Sequence, residues 1–167
     1  MNEIPEEVAM EVNGLILDPT SNVPIVILRD REGEYLMPIQ IGIFEANAIA
    51  MRMEGIETPR PMTHDLLLAT IEQLNAHVER VVITDLRDNT FFALIHLDVG
   101  ESGELELDAR PSDAIALALR AKVPVFVARP VLEKAKLDDL TSKLSEEEKL
   151  KKWLEEINPE DLGKYTM

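Results

Sequence analysis

Two short stretches carry the side chains with which this chain could do chemistry. Arg60-Pro61-Met62-Thr63-His64-Asp65 and Asp108-Ala109-Arg110-Pro111-Ser112-Asp113 each set a guanidinium, a hydroxyl and an acid just where a helical pattern begins. A helix start gathers unpaired backbone N–H groups and the positive end of the helix dipole. It therefore favours anions and lowers a histidine's proton affinity. A neutral His64 beside Asp65 would act as general base toward a water, with Arg60 or Arg110 gripping a phosphate bidentately. Asp108 and Asp113, or Glu45 from an earlier helix start, would hold a divalent cation such as Mg2+ or Mn2+ for phosphodiester hydrolysis. Thr63 is read as an N-cap, and Ser112 as a cap or a hydrogen-bond donor to phosphate rather than a nucleophile.

The same residues have a purely architectural reading. Thr63 and Ser112 are ordinary caps, and Asp65 and Asp113 are ordinary first-turn acids. Arg110 paired with Asp108 or Asp113 would tie a strand to a helix without catalysing anything. Geometry separates the two readings. Chemistry requires Arg60, His64 and Asp65 to converge with Arg110 and Asp113 in an open cleft; burial or complete mutual pairing favours architecture. His77 and His96 read as a helix end and a strand position with no chemistry. No His-Glu-x-x-His, P-loop or Gly-x-Ser-x-Gly pattern occurs.

Composition narrows the field. The chain has 167 residues, 46% of them hydrophobic, and no cysteine, which removes disulfides, thiolate metal sites and thiol catalysis. No apolar run approaches the roughly 18 residues of a membrane span. The acidic start lacks the pattern of a signal peptide, so a cytoplasmic protein is expected. The net charge is −15; nine acidic and five basic side chains in residues 137–167 leave −11 on residues 1–136. Polyanion binding normally rests on a basic stripe, so any nucleic acid would be bound weakly, through a local arginine cluster or a bridging cation.

The elements that must position these side chains follow a pattern that restarts. Strands are expected at 8–18, 23–29 and 35–41, with Gly33 supplying the positive φ of a hairpin turn. Ala46, Ile49, Ala50 and Met53 then mark one helical stripe, and Leu67, Ile71 and Leu74 another. Runs 78–86, 90–97 and 104–107 repeat the strands, an alanine-rich helix follows Pro111, and a short strand covers 124–127. Glu45-Ala46-Asn47-Ala48 aligns with Asp113-Ala114-Ile115-Ala116 at an offset of 68 residues. The expectation is an α+β fold of two duplicated β-β-β-α-α units sharing one core, about 8–77 and 78–136, within a domain spanning 1–136. Residues 137–167 form an acidic linker and an amphipathic helix, with Leu150, Trp153, Leu154 and Ile157 on one stripe that must dock on its own domain or a neighbouring subunit.

Four segments in order, Leu36-Met37-Pro38-Ile39-Gln40-Ile41-Gly42, Glu45-Ala46, Arg60 to Leu67 and Asp108 to Ala118, resemble the signature segments of the bifunctional nuclease domain family. The resemblance covers roughly residues 8–136. It implies an internally duplicated α+β domain with a tendency to dimerise, and DNase and RNase activity. The small helical module shared with excision-repair proteins, which ends many members, has no match in this tail. The leading expectation is a metal-assisted nuclease with Arg60, His64, Asp65, Asp108, Arg110 and Asp113 around one cleft. Its alternatives are a non-enzymatic regulatory or assembly domain that binds a protein, and a small-anion binder.

Overall fold

A computed structural model describes residues 3–142, with side chains described through residue 136. Strands β1 (Glu7–Leu17), β2 (Pro24–Asp30) and β3 (Leu36–Gln40) pair as an antiparallel meander. A second meander comprises β4 (His77–Arg87), β5 (Thr90–Asp98) and β6 (Glu104–Ala109). The turns obey local chemistry: Gly33 has φ +73°, and Asp88 and Asn89 both take positive φ in the two-residue β4–β5 turn. The short strand β7 (Val125–Ala128) lies between the meanders, antiparallel to β1 and parallel to β4. The result is one seven-stranded sheet in the order β3-β2-β1-β7-β4-β5-β6.

Four helices complete the domain: α1 (Ile43–Met53), α2 (Thr63–Gln73), α3 (Pro111–Ala121) and α4 (Arg129–Ser142). Each contributes to a single core, through Ile49, Ile71, Ile115 with Leu117, and Val131 with Leu132. These meet Val26, Leu28, Met37, Val81, Ile83 and Ile95 of the sheet. Side chains alternate along a strand, so the intervening residues face the other way. Ile25 and Ile27 there form a small separate cluster with Ile16 and Leu36. The four helices thus share one face of the sheet, and the opposite face is helix-free among the described residues.

Helix α3 is the centre of this layer. Its residues Ala114 to Ala118 are all buried, and it packs against α1, α2, β4 and β5. Alternating alanines let neighbouring helices and the sheet approach it from several sides, which a stripe of leucines would prevent.

Several expectations need correction. The strand expected at 124–127 is present as β7 between α3 and α4, so the second half runs β-β-β-α-β-α rather than β-β-β-α-α. Thr63 is the first helical residue, not the cap; Met62 holds the cap position, and the Asp65 carboxylate accepts its N–H at 2.9 Å. Ser112 lies inside α3, whose cap position is Arg110 and whose first residue is Pro111. Leu74 is exposed; the covered stripe of α2 runs through His64, Leu67, Leu68 and Ile71. His77 opens β4 rather than closing a helix. The amphipathic segment around Trp153 lies outside the described residues.

Candidate functional site

The helix starts of α1, α2 and α3 meet through charged side chains. His64 Nε2 lies 2.9 Å from Asp113 Oδ1. Arg110 donates from Nε to Asp113 Oδ2 at 2.9 Å and from Nη2 to Glu45 Oε1 at 2.7 Å. The chain Glu45–Arg110–Asp113–His64 therefore links all three helices. Glu45 owes its place partly to Gly42, since a Cβ at that position would collide with the Glu45 carboxylate.

Burial is the largest single influence on Asp113 and disfavours its ionisation. Hydrogen bonds from His64 and Arg110, with the arginine charge, together outweigh it, and the carboxyl pKa lies below its ordinary value. An ionised carboxylate only accepts, so the proton in the His64–Asp113 contact belongs to Nε2. Nδ1 is then the ring nitrogen left over for other contacts, and it has no hydrogen-bond partner among the described residues. The His64 side chain is 10% exposed, whereas that of Arg110 is 64% exposed. Arg110 Nη1 also makes no hydrogen bond among the described residues, so one edge of the guanidinium stays open.

A second group sits beside the first. Arg120, with a side chain only 6% exposed, donates to Asp65 Oδ1 at 2.7 Å and to the carbonyls of Ala116 and Ala48. Burial again opposes ionisation of Asp65, but the Met62 N–H, the hydrogen bond and charge of Arg120, and the charge of Arg52 hold its pKa low.

The candidate residues therefore divide. His64, Arg110 and Asp113 come together, with Glu45. Asp65 is turned to Arg120, a residue missed in the sequence although its signal was there. A guanidinium two turns beyond Asp113 in an otherwise apolar helix is costly without a partner. Arg60 is exposed in the loop before α2 and forms no ion pair among the described residues. Ser112 is buried, at 5% exposure, while Thr63 is exposed.

Asp108 stands apart for a geometric reason. It is opposite Leu94, while its neighbours Leu107 and Ala109 pack on the core, so strand alternation sends it to the helix-free face. Glu45, Asp108 and Asp113 consequently do not form one cation site. Among the described residues, the acidic group compact enough to share an ion is Asp30, Glu32 and Glu34 at the β2–β3 turn.

Fold and cluster together define an α+β domain with a hydrogen-bonded histidine–carboxylate–arginine cluster at the junction of three helices. The bifunctional nuclease domain description matches residues 26–139. An uncharacterized protein of Mycobacterium tuberculosis is 37% identical over 161 residues, which are 91% of this chain and 96% of that protein. Bifunctional nuclease 2 of Oryza sativa subsp. japonica is 30% identical over 64% of this chain and 34% of its own. Bifunctional nuclease 1 of Arabidopsis thaliana is 28% identical over 62% and 33%. The chain thus spans about a third of these plant relatives. It belongs to the bifunctional nuclease domain family.

Proposed function

We propose that the domain hydrolyses phosphodiester bonds of nucleic acids, and that Glu45, His64, Arg110 and Asp113 are its reactive centre. The observation that carries this reading is the 2.9 Å His64–Asp113 contact, with the exposed Arg110 on the same carboxylate. Asp113 fixes the tautomer in which His64 Nδ1 accepts a proton from the attacking water. Arg110 hydrogen-bonds a non-bridging phosphoryl oxygen through its open edge, and Glu45 holds the guanidinium in place. A divalent cation, where one takes part, draws on Glu45 and Asp113 and must compete with Arg110 for them. Family membership and the names of the plant relatives support the substrate class. The division into two meander-plus-helix halves is, in this reading, the trace of a duplication.

The test is hydrolysis of a single-stranded oligonucleotide by highly purified protein, with and without Mg2+ or Mn2+. Loss of a general base or its orienting carboxylate costs on the order of 10²–10⁴ in rate. Asp113→Asn and His64→Gln should both show such a loss while keeping the wild-type circular dichroism. Undiminished hydrolysis in both variants places the activity elsewhere or in a contaminant.

A second reading rests on the mutual pairing of the cluster. Both Asp113 oxygens are engaged and His64 is largely buried, which suits a lock between three helices in a regulatory or assembly domain. In that case the wild-type protein does not hydrolyse the oligonucleotide, and Asp113→Asn lowers only the melting temperature.

A further inference from the structure

The helix-free face of the sheet gathers acidic side chains at its β4–β5–β6 end. Register places Glu104 opposite Asp98 and Glu106 opposite His96. Leu107, Ile95 and Leu97, between them, face the helix layer. The β4 ladder is irregular between Val78 and Arg80, a kind of break that re-aims a side chain. Glu79 adds a further exposed acid at this step.

An independent observation points into the same patch. His96 has a side chain 7% exposed, and its Nδ1 is the one buried side-chain nitrogen or oxygen without a hydrogen-bond partner among the described residues. The Glu106 Oε1 stands 3.8 Å away, beyond hydrogen-bond range. Arg80 lies across from His96 but spends its charge on Glu7, with Nη1 and Oε2 2.7 Å apart. Buried polar atoms are rarely left without a partner, so the orphaned nitrogen calls for one.

We propose that this patch binds a divalent transition-metal ion of the Zn2+ or Mn2+ kind, with His96 Nδ1 and Glu106 as its first ligands and Glu104, exposed two residues along the same strand, swinging in to join them on binding. Metal–ligand bonds of about 2.0–2.2 Å need only a modest closure of the His96–Glu106 gap. The ion supplies the partner that Nδ1 lacks and the positive charge that the carboxylates lack. An imidazole ligand selects Zn2+ or Mn2+ over Mg2+, which prefers oxygen. The more compact Asp30 group has no comparable orphan, since Asp30 Oδ1 already accepts the Tyr35 N–H.

Calorimetric titration of the full, metal-stripped chain with Zn2+, and in parallel with Mg2+, tests this. The expected result is one saturable Zn2+ site, weakened at least tenfold in His96→Ala and in Glu106→Gln and unchanged in Glu32→Gln. Mg2+ should bind at least tenfold more weakly than Zn2+. Glu106 is exposed, so Glu106→Gln folds, and Zn2+ should raise the melting temperature of the wild type but not of that variant. Absence of saturable Zn2+ binding, Zn2+ binding indifferent to both ligand variants, or Mg2+ bound as tightly as Zn2+ overturns the assignment. The last result marks a diffuse acidic patch.

Discussion

Asp113 and Asp65 set the acid limit of this domain. Both have carboxyl pKa values below the ordinary 3.8, so each contributes stability that is fully present above that value. The contribution is lost as pH falls through their depressed values, because the unfolded chain then binds protons that the folded one resists. Urea midpoints between pH 7 and pH 2 should fall on the acid side, and Asp113→Asn should flatten part of that fall. Gly42 gives a second test at this scale. Its backbone is ordinary extended chain, so Gly42→Ala strains no dihedral and acts only by displacing Glu45 from Arg110. The expected cost is about 1 kcal/mol, the usual net value of a hydrogen bond, measured by denaturation. At this scale the sequence was partly legible. His64, Arg110 and Asp113 declared themselves as polar groups at helix starts. Ser112 misled because Pro111 already sets the first turn of α3, and Thr63 because Met62 takes the cap position with its N–H on Asp65.

Among the elements, α3 decides most. Arg120 sits on it in a buried position and satisfies an acid of α2 and a carbonyl of α1, so it joins three helices through one guanidinium. Arg120→Ala leaves Asp65 without its cation and should cost about 3 kcal/mol in urea denaturation. Adding Asp65→Asn should recover part of this, and the double-mutant cycle would give the coupling. Helix and strand positions were readable because their apolar periods were clean, as in Ala46 to Ala50. The partners of charged residues were not, since Arg120 and Asp65 are far apart in the chain and no local pattern relates them. Asp108 failed for a simpler reason: its place beside Arg110 in sequence hid the reversal of face that each step along a strand imposes.

For the whole molecule, a charge of −15 means that a nucleic acid can be held only locally. If Arg110 and one neighbour make the phosphate contacts, the affinity for a single strand should fall with salt at a log–log slope of roughly −0.7 to −1.4. Fluorescence anisotropy across a salt series reads this directly, and a much steeper slope would require a basic surface elsewhere. The two meanders were foreseen, but the manner of their joining was not, since four residues of β7 carry too little pattern to announce a partner. That strand has a consequence in time as well as in space. Everything that bridges the two meanders within the sheet passes through Val125–Ala128, which is made after both of them. During synthesis each meander can pair internally, yet the sheet cannot close until residue 128 has left the ribosome. The nascent chain must meanwhile carry two open sheet edges, on β1 and β4, where strands of other chains could pair. A chain stopped after Ala121 should therefore unfold without a single cooperative transition and aggregate through those edges.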